Sequence, residues 1–145
     1  MKNNKPSIKQ TFDISAGNFS VAGSASSRIK NMLKRIGIDD KIIRRVAVAT
    51  YEAEMNIAIH SHGGTLCIEI FPDVIIIVAK DKGPGIKNVA LAMEEGYSTA
   101  TDEIRAMGFG AGMGLPNMKK CSDEFDIQST LGVGTRVEMK MYNKE

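Results

Sequence analysis

The sequence predicts an α/β sandwich with a mixed, mostly antiparallel sheet and its helices gathered on one face. Three observations predict it. Apolar residues recur at helical spacing in two consecutive segments before Gly63, then alternate in two runs joined by Pro72-Asp73, and alternate again in two closing runs around Gly132-Val133-Gly134. Strands that come in neighbouring pairs with short turns build an antiparallel sheet. A strand–helix–strand alternation is absent, which argues against a Rossmann or P-loop fold.

The elements follow in order. Ile8, Phe12, Ile14, Phe19 and Val21 predict an early strand pair or irregular hairpin turning at Ala16-Gly17-Asn18. Ser24 or Ser26 can cap a helix over Ser27–Ile36, where Ile29, Met32, Leu33 and Ile36 share a face and Gly37 supplies the stop. Asp39 or Asp40 then caps a longer helix reaching about Ser61, ended by Gly63-Gly64, with Ile42, Val46, Ala53 and Ile57 as its core stripe. Strands are predicted over Thr65–Phe71 and Val74–Lys80, the second apolar enough to be central and covered on at least one face. A short helix near Val89–Met93 precedes a polar, glycine-flanked stretch from Gly96 to Gly112, which reads as a mobile loop. Helix returns over Leu115–Cys121, and strands Glu124–Ser129 and Thr135–Met141 close the chain.

Composition bounds the function. At 145 residues, 43% apolar and 25% charged, the chain reads as one soluble globular domain spanning 1–145. A formal charge of +2, with Lys30, Lys34, Arg35, Lys41, Arg44 and Arg45 interleaved among apolar helix positions, describes a solvated face and no nucleic-acid or membrane surface. Cys67 falls in an apolar alternating run and reads as core, and its distance from Cys121 gives no CxxC pair, so reduced thiols are expected. Met1–Gln10 is polar and the apolar run Val74–Ala79 is too short to span a bilayer, so a cytoplasmic protein is expected. His60 and His62 border a helix end and read as surface histidines; most of the nine methionines read as packing.

Chemistry is concentrated in four places. Glu52 and Asn56 are four apart and share a helical face, where a carboxylate can accept a proton and an amide oxygen can ligate a hard cation. Asp81-Lys82-Gly83-Pro84-Gly85 follows an apolar strand. There an Asp can accept from an exocyclic amine, and glycines let backbone approach a flat ring. Gly108-Phe109-Gly110-Ala111-Gly112-Met113-Gly114 places glycine at every second position and opens into a helix, the form of a phosphate cradle without the Walker Gly-Lys-[Ser/Thr] ending. Gly132-Val133-Gly134-Thr135 joins the last strands. Singly, an exposed helix face or a plain turn accounts for the first two.

In this order, the four motifs resemble the GHKL ATPase superfamily from about Asp39 to the chain end. The passages Ala92–Thr99 and Gly114–Lys120 are most similar to anti-sigma-factor type serine/threonine kinases, especially the switch kinase of the stressosome pathway. The resemblance implies the Bergerat ATP-binding fold, with ATP and Mg²⁺ as cofactors. It implies Glu52 as general base and Asn56 as Mg²⁺ ligand. It places Asp81 on the adenine amine, Gly83 and Gly85 along the adenine pocket, and Thr135 closing it. Gly110, Gly112 and Gly114, with Met113 among them, would cradle the phosphates, and Arg105 would be a lid arginine near the γ-phosphate. The lid is longer than in the switch kinase, through Thr99–Ile104, and Gly108-Phe109 adds a turn before the second glycine loop. The activity implied is serine/threonine phosphorylation of an anti-anti-sigma-type partner. The alternative is ATP-gated sequestration of a sigma factor or phosphatase, and a homodimer is implied for the sigma-binding members. A histidine-kinase catalytic domain fits less well, lacking a phenylalanine-containing lid motif between the glycine boxes and a dimerisation helix with a phosphoacceptor histidine.

Overall fold

The computed structural model describes residues 6–17, 23–86, 88–94 and 114–143. Five strands form one sheet: β1 (Ile8–Ile14), β2 (Gly64–Ile70), β3 (Val74–Asp81), β4 (Glu124–Thr130) and β5 (Gly134–Tyr142). Their order is β1-β2-β3-β5-β4, and every pairing is antiparallel. The helices are α1 (Ser24–Arg35), α2 (Asp40–His60), the single-turn α3 (Val89–Ala92) and α4 (Gly114–Cys121).

Period-two alternation settles which sheet face is dry. Leu66, Ile68 and Ile70 on β2, Ile75, Ile77 and Ala79 on β3, and Val137, Met139 and Met141 on β5 are buried. Against them lie Ile29 and Leu33 of α1, Ile42, Val46, Ala53 and Ile57 of α2, and Leu115 and Met118 of α4. The core stripe expected on α2 is therefore the one buried, and Met118, Met139 and Met141 serve as packing. Cys67 corrects its expectation. It lies on the sheet's other face between Leu66 and Ile68, only half-buried, because β2 alternates and its register pairs Cys67 with Val78.

Boundaries follow the punctuation in the sequence. Asp39 caps α2, its carboxylate accepting from Lys41 N at 2.8 Å. The β2–β3 turn closes at Pro72-Asp73, with Phe71 N donating to Val74 O at 2.9 Å. The cap expected for α1 is different. Neither Ser24 nor Ser26 caps it; Gly23 holds the cap position, and the Glu54 carboxylate of α2 accepts from Gly23 N, Ala25 N and Ser26 N at 3.0, 3.2 and 3.0 Å. Ser26 Oγ is turned to donate to Gly23 O instead. Of the early hairpin, β1 is described; Asn18, Phe19 and Val21 lie outside the described residues, as does the Gly96–Gly112 stretch.

Candidate nucleotide-binding site

Helix α2 is the spine on which the site is assembled. Each of its sides meets something different, as 3.6 residues per turn requires. The core stripe faces the sheet, Glu54 faces α1, and the row of Arg45, Glu52 and Asn56 faces α4. Arg45 Nε donates to Cys121 O, the last carbonyl of α4, at 2.9 Å, and its guanidinium pairs with Asp123 at 3.1 Å. That clamp fixes the far end of α4. At the near end α4 starts at Gly114, where a Cβ would stand 3.2 Å from Glu52 Oε2 and 3.6 Å from Asn56 Oδ1. A side chain at this position would make the helix or the Glu52 carboxylate give by a few tenths of an ångström, so glycine lets the helix N-terminus approach the two α2 side chains undisturbed.

The Asp81 loop is held from two directions. His62 N donates to Lys82 O at 2.7 Å and Lys82 N to Gly63 O at 3.0 Å, tying the loop to the end of α2. Gly83 N donates to Val133 O at 3.2 Å and Gly132 N to Pro84 O at 2.9 Å, tying it to the β4–β5 turn. A Cβ at Gly83 would lie 3.1 Å from Ser61 Cα, and one at Gly85 would lie 2.5 Å from Thr130 O. Packing alone thus requires glycine at Gly85, where φ is also +76°, and favours it at Gly83. Asp81 Oδ1 accepts from Thr135 N at 3.0 Å, and the Thr135 hydroxyl is 2.9 Å from Ser129 Oγ, which accepts from Ile86 N at 2.7 Å. Among the described residues, the hydrogen bond that Asp81 accepts falls on Oδ1 alone.

The profile of the histidine kinase-like ATPase domain family matches residues 18–141, a span that includes every one of these segments. The chain belongs to the histidine kinase-like ATPase family. It is 33% identical over 113 residues to the serine/threonine-protein kinase RsbT of Bacillus subtilis, covering 75% of this chain and 79% of that one. It is 35% identical over 105 residues to an anti-sigma F factor of Caldanaerobacter subterraneus, covering 69% and 70%, and 38% identical over 104 residues to one from Clostridium novyi, covering 68% and 69%. The sheet with helices on one face is the ATP-binding α/β fold of this family, and the coarse function of the chain is that of an ATP-binding domain.

Electrostatics within this ATPase fold single out two carboxylates. Burial pushes the Glu52 carboxyl above its ordinary value, and no donor among the described residues opposes the shift. Burial also raises Asp81, against the Thr135 N–H and the nearby His62, which both lower it. His60, the last residue of α2, is partly buried rather than on the open surface, and burial lowers its pKa. The Cys121 thiol is raised by burial, lowered by Arg45 and raised again by Glu52.

The structure brings together Glu52, Asn56 and Gly114 at one end, and Asp81, Gly83, Gly85 and Thr135 at the other. Arg105, Gly110, Gly112 and Met113 lie outside the described residues. Asn56 offers one hard oxygen donor beside a carboxylate, a set that fits Mg²⁺, which completes its shell with phosphate oxygens and water. No cluster of three or more His, Cys, Asp or Glu stands ready for a metal among the described residues. Sequence reasoning missed Arg45, Glu54, Ser61 and Ser129. Arg45, Glu54 and Ser129 act through partners remote in the chain, whereas the Ser61 hydroxyl bonds locally, to Ile57 O and Gly63 N, and meets the Asp81 loop only where its Cα stands against Gly83.

Proposed function

We propose that residues 1–145 form a single cytoplasmic kinase domain that uses Mg²⁺-ATP to phosphorylate a serine or threonine on an anti-anti-sigma-type partner. The observation that carries the reading is the Glu52 carboxylate, half-buried, raised in pKa, and set against the N-terminus of α4 beside Asn56. A base acts best when its pKa approaches the working pH, and burial moves Glu52 that way. The likeness to the RsbT kinase supports the same reaction class.

Each residue then has one task. Asp81 Oδ2 accepts from the adenine amino group, while Oδ1 stays on Thr135 N; Gly83, Gly85 and Thr135 border that pocket. Gly110, Gly112, Met113 and Gly114 surround the phosphates, and Arg105 neutralises charge at the γ-phosphate. Asn56 ligates Mg²⁺, which when bound offsets the charge on the phosphates. Glu52 takes the proton of the acceptor hydroxyl as its oxygen bonds to the γ-phosphorus and the bond to the ADP oxygen breaks. Phosphoryl transfer of this kind needs positioning and charge neutralisation more than covalent help.

A second reading has its own support. The anti-sigma F factors among the relatives support a binding module that sequesters a sigma factor; that ATP gates the complex and that the chain is a homodimer are proposed with it. A phosphatase is the other partner this reading admits. Single-turnover transfer to an anti-anti-sigma-type domain, run beside nucleotide binding, separates the two. Glu52→Ala should keep ATP affinity while transfer falls on the order of 10²–10⁴-fold. Asn56→Ala should lose Mg²⁺-dependent binding itself. A wild-type chain that transfers nothing, yet whose affinity for a partner changes with ATP, would leave only the binding module.

A further inference from the structure

The geometry points to Ser129 as a positioning residue for the base of the nucleotide: its hydroxyl fixes the direction of the Thr135 hydroxyl, so that Thr135 offers the pocket a donor for the ring nitrogen beside the adenine amine. Ser129, near the end of β4, and Thr135, near the start of β5, are partners in the strand register. Alternation puts Ser129 on the face of Phe125 and Ile127, and Thr135 on that of Val137 and Met139, the face that packs on the core beneath the helices. A serine–threonine pair across two strands is ordinary and modestly stabilising. A third segment goes beyond that. Ile86, which follows the Asp81–Gly85 loop and belongs to no strand, donates its N–H to Ser129 Oγ at 2.7 Å. One hydroxyl therefore ties the end of that loop to both closing strands, beside the bond from Thr135 N to Asp81 Oδ1 at 3.0 Å.

The direction of this chain of bonds follows from what each group can do. A backbone N–H only donates, so Ser129 Oγ accepts from Ile86. The Ser129 hydrogen has two oxygens within range: Gly134 O at 3.4 Å, the limit of a hydrogen bond, and Thr135 Oγ1 at 2.9 Å, an ordinary length. The shorter contact takes it. Thr135 Oγ1 then accepts, and its own hydrogen turns away from Ser129. Each bond in such a chain polarises the next, which strengthens the last donor. Asp81 and Thr135, already joined through Thr135 N, thereby offer an acceptor and a donor side by side. Adenine carries the complement on one edge, an amine beside the acceptor nitrogen N1. Guanine carries the reverse, a carbonyl beside an N–H. A threonine hydroxyl left to itself serves either purine, because it both donates and accepts. Ser129 removes that choice.

The inference rests on the ATP-site reading, and the test keeps the two apart. The probes are ATP and 1-deaza-ATP, which differ only by a C–H in place of N1, titrated by calorimetry into the full chain with Mg²⁺. Wild type should bind ATP more tightly by about ten-fold, the scale of one hydrogen bond. Ser129→Ala should lose about five-fold in ATP affinity while its affinity for 1-deaza-ATP changes by less than about two-fold, since only the contact to N1 depends on the serine. Ser129→Thr, which keeps the hydroxyl, should restore the preference for ATP. Equal losses for both nucleotides in Ser129→Ala would overturn the positioning role and leave a serine that only holds the fold, with ATP binding intact. Equal wild-type affinities for the two nucleotides would overturn it as well, because no donor then meets N1. A wild type that binds neither nucleotide would remove the ATP site, and this inference with it.

Discussion

Glu52 and Glu54 show how two residues of one type, two positions apart, come to have unrelated tasks. Two steps along a helix turn about 200° around its axis, so the carboxylates leave α2 on nearly opposite sides. Glu52 points at α4; Glu54, 3% exposed, accepts three backbone N–H groups at the start of α1. Removing Glu54 strands those donors, so Glu54→Ala should cost about 3 kcal/mol, the scale of buried bonds to a charged group, and fray α1 first. Urea unfolding measures the loss; a change under 1 kcal/mol would mean water replaces the carboxylate. That Glu52 and Asn56 share a face was legible because they lie one helical turn apart, while the role proposed for Glu52 came from the order of the four motifs. Glu54 was not legible, because its partners lie about thirty residues upstream and two serines offered a local cap. Glu52 also opposes the fold it sits in. Its raised carboxyl holds a proton more tightly when folded, so its contribution to stability is full below the unfolded pKa and lost as pH rises through the folded one. Ionised Glu52 therefore destabilises the ligand-free chain at neutral pH. Glu52→Gln should unfold at higher urea than wild type at pH 7, the gap closing as pH falls below about 4. A gap that stays constant with pH would show the effect is not ionisation.

At the scale of elements, strands and helices were readable because the periods of two and 3.6 are local properties. Their docking was not. The approach of α4 to α2 depends on Gly114, which the glycine pattern marks as a phosphate loop residue, and on Arg45, which composition marks only as a surface cation. Gly83 and Gly85 carry the same ambiguity, since close packing against Ser61 favours glycine at the first and packing against Thr130 demands it at the second, whether or not a ring lies nearby. Gly114→Ala divides the two pressures on α4. Alanine favours a helix interior over glycine by about 1 kcal/mol, and by less at the first helical residue, where Gly114 stands. The alanine Cβ, 3.2 Å from Glu52 Oε2, would also push that carboxylate, the proposed base, or the helix by a few tenths of an ångström. We expect a melting temperature equal to or above wild type, with phosphoryl transfer reduced about ten-fold, since small displacements of reacting groups are strongly penalised. Equal transfer in the variant would mean that α4 and Glu52 move independently.

Across the whole molecule, the proposed site draws on segments that the chain keeps far apart: Glu52 and Asn56 on α2, Asp81 at the end of β3, Gly114 opening α4 and Thr135 on β5. A ligand that touches all of them must bind the folded chain and not the unfolded one, so binding adds to global stability. At a hundred times its Kd, ATP should contribute about 2.7 kcal/mol. For a chain of this size that raises the melting temperature by about 5–10 °C. GTP should give little of this, because guanine places a carbonyl where adenine places its amine, facing Asp81 Oδ2. Asp81→Asn is the variant that tests the assignment without dismantling the fold. Its amide oxygen can still accept from Thr135 N, as Asp81 Oδ1 does at 3.0 Å, while its NH₂ replaces the acceptor offered to the ligand. A donor facing the adenine amine forfeits a charge-assisted bond, about 2–3 kcal/mol of affinity. The variant should therefore melt near wild type without nucleotide and lose most of the ATP-induced rise. Calorimetric melting with ATP, GTP or neither measures both halves. An undiminished ATP shift in Asp81→Asn, or an equal shift from GTP in wild type, would place the base of the nucleotide somewhere other than the end of β3.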